Sequence, residues 1–312
     1  MNLLKLKDIK RGFFKNPVVT IGMFDGVHRG HKSLLEILKE KAIEYDGTPL
    51  VITLWPHPRM VLYPERQIKI LSTLEEKLSL LEQNGINNVV IIDFDSDFAK
   101  TSANEFIDEY LVNKINLKCM VVGFDNHFGF NKEGKYDFVK TESTRYNFDV
   151  AHVDPEFEGR DAISSTNIRL YLELGDIKLA NLLLGYNYIV TGKVIEGDKI
   201  GRKIGFPTAN IETPEYKMIP RVGVYAVSTE IDGKVYDGML NIGFRPTLNH
   251  ITLKKNIEVH LLNFNDNLYN KTIKINFVER IRDEIKFSGL DALKEQLIKD
   301  KQTIQNILQS HK

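Results

Sequence analysis

The chain is predicted to be an α/β protein in its first half, a doubly wound parallel sheet, followed by an antiparallel six-stranded β-barrel with a C-terminal helix. Three observations predict this. Short β-branched runs alternate with amphipathic segments up to Gly185, tight-turned strands follow it, and an apolar stripe runs from Leu290 to Leu308. The length of 312 residues agrees, because about 150 residues per domain implies two units. We set them at residues 1–185 and 186–312.

In chain order, buried strands are expected at Val18 to Met23, Leu50 to Leu54, Val89 to Phe94, Met120 to Phe124 and Phe148 to Val153. Their near-continuous apolar character suits a parallel sheet covered on both faces. Ser33 to Ile43, Leu74 to Gln83 and Ala103 to Val112 place apolar residues at three- and four-residue spacing, the helical period. Such a sheet binds its ligand at the carboxyl ends of its strands. Helices at Thr166 to Leu174 and Ile177 to Leu184 close the unit. Beyond them, Tyr188 to Ile195, Val224 to Ile231, Val235 to Ile242, Asn256 to Leu262 and Ile273 to Glu279 read as antiparallel strands. Five or six strands at this spacing favour a small barrel. Ile231-Asp232-Gly233-Lys234 is a two-residue hairpin signal. Leu290, Leu293, Leu297, Ile304, Ile307 and Leu308 share one stripe, so the tail is a helix packed on the barrel.

Composition narrows the partners. Lys plus Arg and Asp plus Glu both number 42, for a net charge of zero, so neither nucleic acid nor an anionic membrane is an expected partner. The lone Cys119 cannot form an intrachain disulfide, and the start Met1 to Lys5 lacks a signal peptide's apolar segment. No apolar run approaches the roughly 18 residues of a membrane helix. A cytoplasmic protein is expected, with a weak homo-oligomer left open.

The segment Gly22-Met23-Phe24-Asp25-Gly26-Val27-His28-Arg29-Gly30-His31 leaves a buried strand, turns through glycines and enters a helix. Backbone N–H groups at a helix start attract anions, and glycines let a phosphate approach closely. His28 and His31 can donate to oxygens whose charge grows as a phosphoanhydride breaks. The competing readings are a surface histidine at a helix start and a zinc site, and the latter lacks the HExxH spacing. Ser165 and Thr166 suit a helix start, with Arg169 one turn on. Read blandly, that is a capped helix with a solvated Arg. Trp55-Pro56-His57-Pro58 follows the second strand, and its prolines stiffen a loop at low entropic cost.

The string Gly-x-Phe-Asp-Gly-Val-His-x-Gly-His resembles the HxGH nucleotidylyltransferases, which are Rossmann-like. In its fuller form it is similar to the adenylyltransferase half of the prokaryotic bifunctional riboflavin kinase/FAD synthetase family. Val122 to Gly129 resembles that family's Gly-x-Asp-x-x-Phe-Gly segment, and Ile163 to Arg169 its Ser-Ser-Thr-x-x-Arg motif. The resemblance implies that Gly22, Phe24, Asp25, Gly26, His28, Gly30, His31, Ser165, Thr166 and Arg169 bind ATP, with His28, His31 and Arg169 catalytic. It further implies that Pro56, His57, Pro58, Asp125 and Phe128 surround the flavin. Trp55 stands where Phe is usual and Asn126 where an aromatic is common.

The second constellation runs from Gly192 to Ile211. Glycines at 192, 197, 201 and 205 mark a phosphate-covering loop that meets Pro207-Thr208-Ala209-Asn210. Hard oxygens beside phosphates are what Mg²⁺ prefers. With Gly201-Arg202 and Pro-Thr-Ala-Asn the stretch resembles the riboflavin kinase signature. This implies an ATP site at Gly197, Gly201, Arg202, Gly205, Pro207, Thr208 and Asn210, with Thr208 and Asn210 on the metal. Segments at Gly223 to Ala226, Asn241 to Thr247, Glu258 to Leu262 and Ile281 to Phe287 match the same family. Glu258 is the candidate base for a primary alcohol attacking a γ-phosphate, and it joins Arg282 as a flavin contact. Without those surrounding motifs, Glu258, His260 and Leu262 read as a polar outer strand face. Leu248 and Asn263 depart from the family pattern.

The expected function is therefore two ATP-dependent steps with Mg²⁺, riboflavin to FMN in the barrel and FMN to FAD plus pyrophosphate in the sheet domain. Two alternatives remain at this stage: a transferase acting on another phosphate, and a non-catalytic flavin or nucleotide sensor.

Overall fold

The computed structural model describes residues 1–124, 128–130, 133–159, 161–197, 200–245 and 254–310. Among these residues the first sheet has six parallel strands, one more than the sequence predicts. They are β1 (Asn2–Lys5), β2 (Val18–Ile21), β3 (Pro49–Trp55), β4 (Asn88–Asp93), β5 (Cys119–Gly123) and β6 (Asp149–Val153). Their order is β1-β4-β3-β2-β5-β6. The unpredicted β1 is four mostly exposed residues at an edge, and it becomes a strand by pairing with β4 from Asn2↔Asn88 to Lys5↔Ile91. β6, expected to be buried on both faces, is the other edge and is only partly covered.

The chain runs outward from β2 through β3 to β4, then restarts on the opposite side of β2 with β5. That reversal is a topological switch point, where an open α/β sheet leaves a crevice at the carboxyl ends of its strands. The Gly22 to His31 turn follows β2 at this place. Helices α1 (Arg29–Glu44), α2 (Pro58–Leu62) and α3 (Leu74–Gln83) connect the early strands. The helix expected at Ala103 to Val112 is a short α4 (Ala103–Glu105) continuing as a π-helical stretch, Phe106–Ile115. Helix α5 (Tyr136–Tyr146) was not predicted. It presents only Val139 as a fully buried apolar residue, too little for a periodic signal. Val19, Ile21, Leu50, Ile52, Met120 and Val122 pack with Phe106, Ile107 and Leu111 to form the core.

The chain divides into two compact units between Ser164 and Ser165. A two-stranded ribbon, β7 (Phe157–Glu158) with β8 (Asp161–Ala162), precedes the division. Helices α6 (Ser165–Leu174) and α7 (Ile177–Leu184) are tied to the barrel. Asn181 Nδ2 donates to Phe277 O at 2.8 Å, Tyr188 N donates to Asn181 Oδ1 at 2.8 Å, and Arg221 N donates to Leu172 O at 2.9 Å.

The barrel is closed, in the order β10-β13-β12-β11-β14-β9. Its strands are β9 (Tyr188–Ile195), β10 (Ala209–Glu212), β11 (Gly223–Ile231), β12 (Lys234–Arg245), β13 (Lys254–Leu261) and β14 (Thr272–Arg282), with a short α8 (Ile200–Lys203) before β10. β10 is the sixth strand, too short for periodicity to reveal. Asp232 and Gly233 both have positive φ, +52° and +78°, as the predicted two-residue hairpin requires.

Helix α9 (Leu290–Ser310) buries Ile304 and Leu308 against Phe206, Val224 and Met239, with Leu297 and Ile307 at the margin. Leu290, expected on this stripe, is exposed at the helix start. Asp300 is instead buried on α9, where Arg282 grips it through Nε to Oδ1 at 3.0 Å and Nη2 to Oδ2 at 2.6 Å. The two side chains are 17% and 3% exposed. Removing one partner of a buried pair strands the other charge, so Asp300→Ala is expected to cost about 3–5 kcal/mol. A urea midpoint equal to wild type would reduce the pair to a solvated contact. Among the described residues no helix is long and apolar enough to cross a membrane.

Candidate active sites

The turn after β2 is strained and tightly held. Phe24, Gly26 and Val27 all have positive φ, at +48°, +83° and +37°. A β-branched residue such as Val27 occupies that region only when its surroundings impose it, and such strain concentrates at functional sites. Phe24 and Val27 are fully buried. The buried Asp25 carboxylate accepts hydrogen bonds from Leu71 N (2.9 Å) and Ser72 N (3.0 Å), and Gly26 N donates to Ser72 Oγ at 3.0 Å. Asp25, predicted to bind ATP, thus uses its oxygens to pin the turn to the segment entering α3. Gly22 N bonds Ile52 O of β3 at 3.0 Å, and Gly30 lies in the first turn of α1.

His28 and His31 stand where that turn becomes a helix. His28 is the N-cap of α1, its Nδ1 accepting from His31 N at 3.4 Å. A neutral imidazole with an acceptor Nδ1 carries its proton on Nε2, which is then a donor. The two rings stack with centroids 3.7 Å apart. Burial, then the His28 and Lys77 charges, holds His31 well below the usual histidine range, so it is neutral at pH 7. Its Nδ1 is buried with no hydrogen-bond partner among the described residues.

The predicted flavin wall lies partly within the described structure. Pro56 is half-buried, His57 caps α2 by accepting from Arg59 N at 3.2 Å, and Pro58 opens that helix. Phe128 packs on Phe106 with centroids 5.4 Å apart, which commits part of its ring to the core. Asp125 and Asn126 lie outside the described residues, as does Leu248. Ser165 and Thr166 form the first turn of α6, with the half-buried Arg169 one turn on.

In the barrel, neighbouring strands bring predicted kinase residues together. Asn210 of β10 sits directly opposite Glu258 of β13. Thr208 Oγ1 donates to Glu258 Oε2 at 3.4 Å, and Asn256 Nδ2 donates to Glu258 Oε1 at 2.7 Å. Glu258 is therefore half-buried in a polar cluster, not displayed on a solvated face, and Leu262 beyond β13 is buried. A Cβ at Gly197 would come within 2.0 Å of Asn210 Nδ2, so only glycine allows this backbone to cover the amide. Gly201 lies in α8 and Gly205 follows it. A cavity of about 530 Å³ is lined by Arg202, Pro207 and Thr208 together with Asn265, Asp266 and Tyr269. Arg282, predicted to touch flavin, has its guanidinium engaged by Asp300. Thr208, Asn210 and Glu258 offer a hydroxyl, an amide oxygen and a carboxylate, a hard-oxygen set that fits Mg²⁺ with phosphates.

Three side chains bearing on these residues escaped sequence reasoning: Ser72 under the strained turn, Asn256 beside Glu258, and Lys77, whose charge His31 feels. Only Lys77 left a signal, a charged residue three positions from Leu74 and Leu80 on the buried side of α3.

The FAD synthetase family model matches residues 11–167 and the riboflavin kinase model residues 184–308. Curated bifunctional riboflavin kinase/FMN adenylyltransferases are similar over nearly the full length. The one from Bacillus subtilis is 42% identical, covering 91% of this chain and 90% of its own. That from Listeria monocytogenes is 40% identical, over 92% and 91%, and that from Escherichia coli K12 is 37% identical, over 92% and 91%. A crystal structure described as a macrolide-efflux protein from Streptococcus pneumoniae matches with a TM-score of 0.88 and 31% identity, covering 98% of both chains. Its description names transport, whereas both family models and these relatives name flavin chemistry.

Proposed function

The chain belongs to the bifunctional riboflavin kinase/FMN adenylyltransferase family, and on that premise we propose which of its residues perform each step. The enzyme phosphorylates riboflavin with ATP to FMN and adenylylates FMN with ATP to FAD. Both steps use ATP and need a divalent metal. We assign the metal as Mg²⁺ and the location as the cytoplasm, the latter supported by the single, buried Cys119. The catalytic division is taken as residues 1–185 and 186–312, with Ser165, Thr166 and Arg169 serving adenylyl transfer.

In adenylyl transfer an FMN phosphate oxygen attacks the α-phosphorus of ATP, and the bond to pyrophosphate breaks. No covalent enzyme intermediate is needed, so placing the phosphates and stabilising the leaving group do the work. At the start of α1, His28 and the neutral His31 donate to oxygens gaining charge.

In the kinase step the riboflavin primary hydroxyl attacks the γ-phosphorus and loses its proton to Glu258, which Thr208 and Asn256 orient. Thr208 and Asn210 would hold Mg²⁺, which when bound offsets phosphate charge. The convergence of Thr208, Asn210 and Glu258 from adjacent strands is the observation that carries this assignment. Thr208→Val is expected to raise the Mg²⁺ concentration needed for half-maximal FMN formation by at least roughly tenfold, and to leave that for FAD formation unchanged. An unaltered Mg²⁺ titration of the kinase step would remove Thr208 from the metal.

A further inference from the structure

Lys77 is a buried ammonium with little to neutralise it. It lies one turn into α3, behind a complete capping box in which Thr73 and Glu76 satisfy each other. Its Nζ reaches back to β3, donating to Thr53 Oγ1 at 3.2 Å and lying 5.6 Å from the centre of the Trp55 ring. Among the described residues that neutral hydroxyl is its hydrogen-bond acceptor. Thr53 Oγ1 itself donates to Met23 O at 3.3 Å, inside the turn that leads to His28. The Asp25 charge favours the ammonium, but the Asp25 oxygens are engaged by Leu71 and Ser72. Facing Lys77 from the start of α1 is His31, which feels its charge; β3 contributes no charged group there.

Burying an ammonium without a hydrogen-bonded carboxylate is costly, and a methionine would fill the same space more cheaply. Buried charges of this kind concentrate where a ligand of opposite sign arrives. Burial pushes Lys77 down to about 8 despite the Asp25 charge. The free enzyme therefore carries this positive charge at neutral pH and loses it as pH rises through that value.

We propose that Lys77 is a positioning residue of adenylyl transfer, placing a buried positive charge behind the His28–His31 pair so that the turn accepts the negative charge building on the departing pyrophosphate. The proposal rests on the assignment of His28 and His31 to the phosphates. It differs from a structural role in its sign. Because folding lowers the affinity of Lys77 for its proton, the charged form works against the fold at neutral pH, and removing it should not weaken the protein.

The test is Lys77→Met in the full chain. FMN-to-FAD and riboflavin-to-FMN rates are measured on the same preparation from pH 6.5 to 9.5, together with thermal unfolding. At pH 7 the variant is expected to lose roughly 10- to 100-fold in kcat for FAD formation, with FMN formation unchanged and Tm equal to or above wild type. The wild-type rate of FAD formation should decline above about pH 8, and the variant should lack that decline. A rate within threefold of wild type with the same alkaline limb would overturn the proposal. So would a lower Tm with both activities reduced, which is the structural outcome. Should the variant not fold, unmutated enzyme decides: FAD formation flat to pH 9.5 sinks the idea. Assaying His28→Ala alongside separates the two levels. If that variant is inactive while Lys77→Met is normal, only the Lys77 role fails, and if both are normal, the assignment of the turn fails as well.

Discussion

His28→Ala is expected to abolish FAD formation while FMN accumulates from riboflavin and MgATP. The imidazole is placed with unusual definition: its Nδ1 caps α1, its ring stacks on His31, and it ends a turn with three positive-φ residues. Loss of one preorganised donor to a developing oxyanion costs about 10²- to 10³-fold, and alanine also withdraws the cap, worth about 1 kcal/mol. His28→Asn distinguishes these effects, because asparagine is a good N-cap but cannot extend a donor as far. Both variants should therefore fail in FAD synthesis, with the asparagine form the more stable. Chromatography of flavins after incubation with riboflavin and MgATP reads both steps at once. Loss of FMN formation in a folded variant would contradict the separation of the two chemistries.

Glu258→Gln should reduce FMN formation by roughly 10²- to 10⁴-fold, the range for a positioned general base, while conversion of supplied FMN to FAD continues. The substitution keeps the shape of the side chain. The carboxylate now accepts from both Thr208 and Asn256, whereas a glutamine has one acceptor oxygen, so one of these donors would meet an NH₂ group. Orientation and proton acceptance are lost together. Restoring the rate at high pH would not be expected, because the amide does not titrate. A near-wild-type rate would leave Glu258 as a support for Thr208.

The most legible elements were those whose local signals agree with their surroundings. Leu74 to Gln83 and Ile177 to Leu184 are helices over the predicted spans, because capping and apolar period specify the same boundaries. The Asp232-Gly233 hairpin is similarly local. β1 and β10 were missed because neither is a continuous buried apolar run, whereas the equally short β2 is buried throughout; a short, partly exposed strand is defined by its partner more than by its composition. Helix α1 opens at Arg29, earlier than Ser33, since His28 serves as a cap outside the usual set of Ser, Thr, Asp and Asn.

The residues proposed for the chemistry could be read in order along the chain: His28 and His31 at a strand-to-helix turn, Thr208 and Asn210 after a glycine-rich loop, and Glu258 on a later strand. Their motif spacing is a local property, and family resemblance is written in that spacing. Only the tertiary structure decided what each side chain meets. It turned Asp25 toward Leu71 and Ser72, set Glu258 opposite Asn210, engaged Arg282 with Asp300, and brought the Lys77 ammonium to Thr53 of β3. Each of these pairs is at least 18 residues apart in the chain, and such pairings arise from strand order and helix packing, which no local window contains.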